Sequence, residues 1–175
     1  MGRMKIFLTK LGKYNEGCLM GEWVKLPVPE DKLEAVLHRI GINEPYEEYF
    51  ITDYESLFPN LHISEYASIA ELNELAEQIE GLADHDYDKL AAILECESSM
   101  SVAEILEVIE ALDDFDLLAD ITTEEELGDY YLEDIFCGIP DTVLRYMNTE
   151  QLGRDIHLEN GNGTFTSYGY LCDNR

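Results

Sequence analysis

The sequence predicts an α+β protein, because strand-like segments lie near both ends of the chain and amphipathic helical segments lie between them. Near the start, apolar residues alternate or cluster on both sides of a turn rich in Gly and Asn. In the middle, apolar residues recur every three or four positions. With 175 residues, 46% of them apolar, the chain can form one ordinary domain or two to three small ones.

The first part of the chain is predicted to form a small α+β module. Two strands, Met4–Thr9 and Gly17–Leu26, are expected to pair as a β-hairpin. A helix is expected after Pro29, with acids in its first turn and Gly41 at its C-terminal end. A third strand is expected around Glu48–Tyr54.

Two acidic amphipathic helices are predicted next. Each is expected to begin with a capping box, Ser68 with Glu71 and Ser101 with Glu104, and a third box is expected at Thr122 with Glu125. Their opposite faces carry glutamates at every third position without interleaved lysines, so these faces are purely anionic. The residues expected on the apolar faces are Ile69, Leu72, Leu75, Ala76 and Ile79 in the first helix, and Val102, Ile105, Ile109 and Leu112 in the second.

The final third is predicted to contain short helices and one closing strand. Helical patterns occur in "ELGDYYLEDIF", "PDTVLRYM" and "TEQLGRDI". The closing strand is expected in "GTFTSYGYLC".

The charge is strongly regional. The net charge is −27, from 38 acids and 11 bases. Residues 40–144 hold 29 acids and a single base, Lys89, whereas the first 39 residues hold seven bases and five acids. Such a field repels nucleic acids and anionic membranes, so neither is an expected partner. Adaptation to high salt would spread acids over the whole surface, and the basic first fifth argues against it.

The chain is predicted to be a cytoplasmic protein with reduced thiols. Its four cysteines are widely spaced and form no C-x-x-C pair. No apolar run approaches the roughly 18 residues of a membrane span, and no N-terminal apolar block resembles a signal peptide.

The stretch "DHDYDKLAAILE" resembles part of a calcium-binding EF-hand loop. Asp84, Asp86, Asp88 and Glu95 occupy loop positions 1, 3, 5 and 12. Position 6, which requires glycine, is however Lys89, and the segment after it has a helical pattern. We therefore favour acids that cap and coat a helix, and we expect no metal.

No cofactor site or catalytic site is predicted. The four histidines are scattered without partners at zinc-ligand spacing. The G-x-S-x-G, Walker and G-x-G-x-x-G motifs are all absent from the sequence. With 38 carboxylates in the chain, a pair that resembles a glycosidase dyad carries no weight.

The anionic helical faces themselves remain as the candidate site. Carboxylates at every third or fourth helical residue give about one charge per 5 Å of helix. Two or three such helices side by side approach the charge density of duplex DNA, which has one charge per roughly 1.7 Å of axis. Such a surface could occupy a protein groove that holds DNA, or bind another basic partner.

Several segments resemble the ArdA antirestriction family. They are "MKIFLTKLGKYNEGCLMGEWVKLP", "EEYFITDYE" and above all "LLADITTEEELGDYYLED", which corresponds to the family's antirestriction motif. The resemblance spans nearly the whole chain from Met4. It implies a DNA mimic, carried by conjugative plasmids and transposons, that binds the methyltransferase core of type I restriction–modification enzymes.

The resemblance also implies an elongated protomer of three small domains that forms a homodimer through its C-terminal domain. On this chain the domains would be an N-terminal α+β domain (1–61) with an antiparallel sheet, a central acidic helical bundle (62–100) and a C-terminal α+β domain (101–175). The matching motif positions, whose apolar members are expected to serve packing and dimer contacts, are Leu117, Leu118, Ala119, Asp120, Glu126, Leu127, Gly128 and Tyr130.

The acids then expected to mimic DNA phosphates are Glu71, Glu74, Glu77, Glu80, Asp84, Asp86, Asp88, Glu95, Glu104, Glu107, Glu110, Asp113, Asp114, Asp116, Asp120, Glu124, Glu125 and Asp129. The hypothesis is a non-enzymatic inhibitor that occupies the DNA-binding groove of the restriction enzyme. Its main rival is an acidic adaptor or chaperone for basic proteins. A calcium-dependent module is third, and an enzyme is the weakest alternative.

Overall fold

A computed structural model describes residues 4–43, 48–97, 99–136 and 138–175. The predicted α+β class is confirmed: these residues form α-helices and two antiparallel sheets of three strands each. They are divided between two compact units. Unit 1 contains described residues up to 83 together with 99–109, and unit 2 contains 84–97 together with the described residues from 110 onward. The three-domain division stays a prediction.

Unit 1 is built on a sheet with strand order β2-β1-β3, in which both pairings are antiparallel. The hairpin, the following helix and the third strand are confirmed. The elements of this unit in chain order are β1 (Met4–Lys10), α1 (Leu11–Asn15), β2 (Gly21–Leu26), α2 (Glu30–Arg39), β3 (Tyr49–Ser56), α3 (Ile69–Gly81) and all but the last residue of α5 (Val102–Glu110).

The connection between the two hairpin strands is longer than expected. One helical turn, α1, occupies it, and β2 starts at Gly21 rather than at Gly17. The backbone N–H of Cys18 bonds the carbonyl of Lys13, so the chain is still in a turn at that point. Gly41 has a φ of +87°, which agrees with the predicted helix end at a glycine.

The core face of unit 1 follows the period of two of its central strand. Met4, Ile6 and Leu8 of β1 are buried. A register shift between Phe7 and Leu8 then places Thr9 on the buried side as well, where its hydroxyl meets that of Thr52 at 2.7 Å. The buried polar group is therefore satisfied.

Helix α3 packs its predicted apolar face against the rest of unit 1. Its five predicted apolar residues are all buried, and the Ser68 hydroxyl accepts a bond from the backbone N–H of Glu71. The Asn73 side chain bonds both the N–H and the carbonyl of Val28, each at 2.8 Å. This amide holds α3 against the chain that follows β2.

Unit 2 contains a second sheet, with strand order β4-β6-β5. The predicted closing strand is in fact a hairpin, and β4 was not predicted. The elements of this unit in chain order are α4 (Asp84–Cys96), a 3₁₀ turn (Leu112–Asp114), β4 (Phe115–Leu118), α6 (Glu124–Tyr130), a π-helical turn (Tyr131–Ile135), α7 (Asp141–Leu144), α8 (Thr149–Asn160), β5 (Gly163–Thr166) and β6 (Gly169–Asp173).

Helices α6 and α8 cross at two glycines. A Cβ atom at Gly128 would overlap the carbonyl oxygen of Thr149, and one at Gly153 would overlap that of Glu124. The two backbones are thus in direct contact. Beside the crossing, Leu127 and Ile156 form a core with Ile121 and Tyr170.

The cap of α6 lies one residue later than predicted. Thr123, not Thr122, is the N-cap, and Glu126, not Glu125, completes the capping box. Two adjacent threonines followed by three glutamates allow either register. The structure uses the one in which a single carboxylate, that of Glu126, also accepts the N–H of Thr122 at 2.7 Å. The Ser101–Glu104 box is confirmed in both directions.

Candidate functional site

The acidic surface of unit 1 lies on α3 and α5. Glu71, Glu74, Glu77 and Glu80 are all exposed on α3, opposite its buried face. The helix contains no base and is about 20 Å long, so successive carboxylates are about 4.5 Å apart along its axis. Glu104 and Glu107 are likewise exposed on α5. None of these six glutamates forms an ion pair with another described residue of unit 1.

Glu104 has a second role besides its surface charge. Its carboxylate accepts bonds from the hydroxyl and the backbone N–H of Ser101, each at 2.7 Å. These bonds, chiefly that from the hydroxyl, lower the pKa of Glu104 below its ordinary value. Glu104 therefore keeps its charge to a lower pH than an ordinary glutamate does.

In unit 2, α4 is helical from Asp84 onward. The predicted helix is thus confirmed, and an ion-wrapping loop at this position is excluded. Asp84, Asp88 and Glu95 are exposed, whereas Asp86 is half-buried, with one oxygen 3.2 Å from His85 Nε2. Among the described residues, no group of three or more His, Cys, Asp or Glu side chains could hold a metal ion.

Lys89, the single base between residues 40 and 144, does not project among these acids. It is half-buried, and its Nζ donates to the carbonyl of Leu112 at 3.2 Å. The ammonium group thus binds the backbone just before β4. Lys89 therefore neutralises little of the charge of the exposed carboxylates on α4.

Glu95 is a structural acid as well as a surface acid. Its carboxylate accepts the backbone N–H of Ser167 at 3.0 Å and the Ser167 hydroxyl through its other oxygen. Ser167 lies in the two-residue turn between β5 and β6. Sequence periodicity had assigned Glu95 to the binding surface alone, since its partner is 72 positions away.

The remaining predicted acids of unit 2 lie around β4 and α6. Asp116 accepts a bond from the Asn174 side chain at 2.8 Å, and Asp120 has a positive φ of 68°. Such a left-handed conformation is tolerated by Asp better than by most residues. The exposed acids of this region are Glu110, Asp113, Asp114, Asp116, Asp120, Glu125 and Asp129.

Glu124 is half-buried and its charge is compensated. Both of its oxygens lie within 3.2 Å of Nε of Arg154, and Nη2 lies 2.8 Å from Oε2. The hydrogen-bonded guanidinium lowers the pKa of Glu124 below its ordinary value. Glu124 therefore joins α6 to α8. No local pattern in the sequence indicates this pair, because the two residues lie 30 positions apart.

The antirestriction-motif residues divide by burial. Leu127 and Gly128 are buried between α6 and its neighbours. Leu117, Leu118 and Tyr130 are half-buried. The three remaining members are exposed: Glu126, which caps α6, and Ala119 and Asp120, which follow β4.

The half-buried motif residues line an open groove of about 510 Å³ in unit 2. Leu117 and Leu118 of β4 face it together with Tyr130, Tyr131 and Ile135. β4 is an outer strand of its sheet, and Ile135 is 51% exposed. The groove therefore has a mixed lining, apolar from the leucines and Ile135 and polar from Asp116 and three asparagines, beside a strand that pairs on one side only among the described residues.

Tyr170, whose pKa is strongly shifted, belongs to the core. Burial raises the pKa of Tyr170 to about 12, and its hydroxyl lies 3.2 Å from His157 Nδ1. The two rings pack with Phe165. This cluster is part of the core of unit 2.

Two further sequence expectations can be compared with the described residues. Cys18, Cys96 and Cys172 are free thiols, while Cys137 lies outside the described part of the chain. None of the described helices is both long enough and apolar enough to cross a membrane.

The fold and these surfaces define an acidic α+β protein with rows of exposed carboxylates on its described helices. The chain belongs to the antirestriction protein (ArdA) family, whose model matches residues 6–172. The resemblance predicted from the sequence is thereby confirmed. Family membership implies antirestriction, through interaction with type I restriction enzymes. A search of curated protein sequences found no match.

Proposed function

We propose that this protein is a DNA mimic, which occupies the DNA-binding groove in the methyltransferase core of type I restriction–modification enzymes. It would block DNA binding, and with it both cleavage and modification. The observation that carries the proposal is the row of exposed glutamates on α3, with no base on that helix. A groove that holds a phosphate backbone presents Lys and Arg, which such a row attracts.

The proposed mechanism is competitive exclusion without chemistry. The protein needs no cofactor and no metal for it, because the inhibitor only has to fill a surface that DNA would otherwise fill. The contacts are many, exposed and individually weak, so affinity is expected to be distributed over the acids. Glu95 and Glu124 contribute least in this proposal, since other groups of unit 2 already bind their carboxylates.

The proposal includes a homodimer that forms through residues 101–175. The groove beside β4 supports it, because Leu117, Leu118 and Tyr130 leave apolar surface that a second copy would cover. Ile135→Glu is expected to shift sedimentation towards the monomer at micromolar concentration. Leu57→Glu, at a 60% exposed residue of unit 1, is the control and should leave the dimer intact.

A competition titration tests the inhibitory function. A labelled duplex with a recognition site is bound to a type I methyltransferase core at near-physiological salt, and this protein is added. The same titration is repeated with an unrelated DNA-binding protein of similar basicity. Displacement from the methyltransferase alone supports the mimic, whereas displacement from both supports the acidic adaptor. Displacement from neither contradicts both proposals.

The salt dependence of the complex gives a second readout. Binding to a phosphate site weakens steeply with salt, so affinity is expected to fall by at least about tenfold between 50 and 200 mM. A complex that is insensitive to salt would argue against charge mimicry, even if it displaced the duplex.

A further inference from the structure

Unit 1 contains a groove with the opposite character to the acidic helices. It lies between β2 and α2, and we call it the β2–α2 groove. Trp23 and Lys25 line it from β2, and Lys32, Val36 and Arg39 line it from α2. Its volume is about 300 Å³. Basic and apolar groups thus meet here in a chain whose net charge is −27.

One wall of the groove is an edge strand. β2 pairs with β1 on one side and with no other strand among the described residues. The outer edge of such a strand carries backbone N–H and carbonyl groups that can accept another strand. Extended peptides bind at sheet edges by adding a strand, with their backbone bonded to the edge and their side chains in adjoining pockets.

The charges on the groove select an acidic occupant. Lys25 and Lys32 are exposed, and neither forms an ion pair within the described part of unit 1. Arg39, by contrast, is held by two bonds to Glu22, at 2.6 and 2.9 Å. The lining of the groove thus contains these basic residues and no carboxylate, although α2 also carries Glu30, Asp31 and Glu34.

Trp23 provides an apolar anchor beside these lysines. Its ring is 38% exposed, and it packs edge-to-face on Phe7 with 5.3 Å between ring centroids. Lys5 Nζ lies 4.8 Å from the centroid of the same ring. Partly exposed aromatic residues of this kind commonly anchor protein interfaces.

We propose that the β2–α2 groove binds an extended acidic peptide segment of a partner protein, added as a strand along β2. Acidic side chains of the peptide contact Lys25 and Lys32, and an apolar side chain contacts Trp23. The strand edge favours a peptide over a nucleic acid, because a phosphodiester backbone has no N–H donors for the edge carbonyls. This surface is separate from the acids proposed to mimic DNA.

The test uses the full chain and a ten-residue peptide of alternating Val and Glu. Trp23 is the single tryptophan of the chain, so its fluorescence reports on the groove directly. The peptide is expected to change this fluorescence in a saturable manner, and Lys25→Glu/Lys32→Glu is expected to weaken binding by at least about tenfold. The control Lys13→Glu/Arg145→Glu changes the net charge equally, at one half-buried and one exposed site outside the groove, and should bind like the unmodified chain.

Two further peptides isolate the strand contact. They have the same side chains, but every second backbone amide is N-methylated, at the odd positions in one peptide and at the even positions in the other. The peptide whose methylated amides face β2 cannot donate to the edge of that strand. Weakening by about tenfold in one register supports strand addition. The proposal is overturned if the unmethylated peptide does not bind, if methylation weakens binding in neither register, or if the two double variants of the protein bind the peptide equally. Tighter binding of a single-stranded oligothymidylate would assign the groove to nucleic acid instead.

Discussion

Gly128 and Gly153 lie against each other where α6 crosses α8. The backbone N of Gly153 is 3.1 Å from the position that a Cβ of Gly128 would take, and that of Gly128 is 2.8 Å from the position for a Cβ of Gly153. Two helices can approach this closely when neither has a side chain at the crossing. Gly128 also matches a position of the antirestriction motif, and at this position it allows the two helices to pack closely.

Gly128→Ala and Gly153→Ala should therefore each destabilise unit 2. The added methyl group would overlap a backbone carbonyl, which cannot move away as a flexible side chain could. We expect each change to lower the free energy of unfolding by about 1–3 kcal/mol or more, measured by urea denaturation. Gly81→Ala is the matched control, because nothing lies within 4 Å of its Cβ position. An unchanged midpoint for both test variants would contradict the close crossing.

Glu95→Ala is expected to loosen the β5–β6 hairpin. The substitution removes the acceptor for both the N–H and the hydroxyl of Ser167. Because the site is exposed, we expect a loss of only about 1 kcal/mol in unfolding free energy. A double-mutant cycle with Ser167→Ala should return a favourable coupling energy. Additive effects would show that the carboxylate acts on the hairpin by some other route.

The cap of α6 predicts a specific pH dependence. Bonds from the backbone N–H of Thr122 and from neighbouring hydroxyls lower the pKa of Glu126 in the folded state. The unfolded state thus binds the proton first as pH falls. The stabilisation is complete above the ordinary carboxyl pKa of about 4.3 and is lost as the pH falls through the lower folded value.

Comparison with Glu126→Gln isolates this effect, because the amide keeps an acceptor oxygen but carries no charge. The unmodified chain should melt at a higher temperature than the variant at pH 7, and the difference should shrink below about pH 4.3. A difference that stays constant from pH 7 to pH 3 would mean that the charge of Glu126 does not stabilise the helix.

Neutralising acids in groups should reveal the distributed binding that we propose. A single change such as Glu74→Gln is expected to alter inhibition of the methyltransferase less than about threefold, because each exposed contact is weak. The combined change of Glu71, Glu74, Glu77 and Glu80 to Gln should weaken it by at least about tenfold.

The control for the fourfold variant of α3 is a second fourfold variant, which changes the net charge equally at other positions. It carries Gln at Glu34, Glu65 and Glu159 and Asn at Asp155, all exposed acids outside the proposed surface. It should inhibit like the unmodified protein. If both fourfold variants lose inhibition equally, net charge rather than the row on α3 would be responsible. Abolition by one substitution would contradict distributed contacts.

The sequence predicted well those features that depend on neighbours a few positions apart. Apolar residues at helical spacing located α3, and Ser101 and Glu104 form the predicted cap. The exposed acids of α3 followed from the same periodicity. What the sequence could not predict depends on residues that are distant along the chain, such as the pairing of Glu124 with Arg154.

Strand β4 was missed for a related physical reason. It spans only four residues, Phe115–Leu118, and includes an acid, so the pattern has no clear period. Its conformation comes from pairing with β6, about 55 positions later. Likewise Gly153 has no local signal, because glycine inside a helix is unfavourable until a second backbone has to approach it.

The division of the chain between the two units also affects when each unit can be completed during synthesis. Unit 1 includes residues 99–109, but α4 of unit 2 precedes them in the chain. As the polypeptide leaves the ribosome, the first 83 residues emerge before the α5 segment that completes their unit. A helix of the other unit is made in between. Unit 1 therefore cannot finish folding as soon as its sheet is made, and no single cut in the chain separates the two units intact.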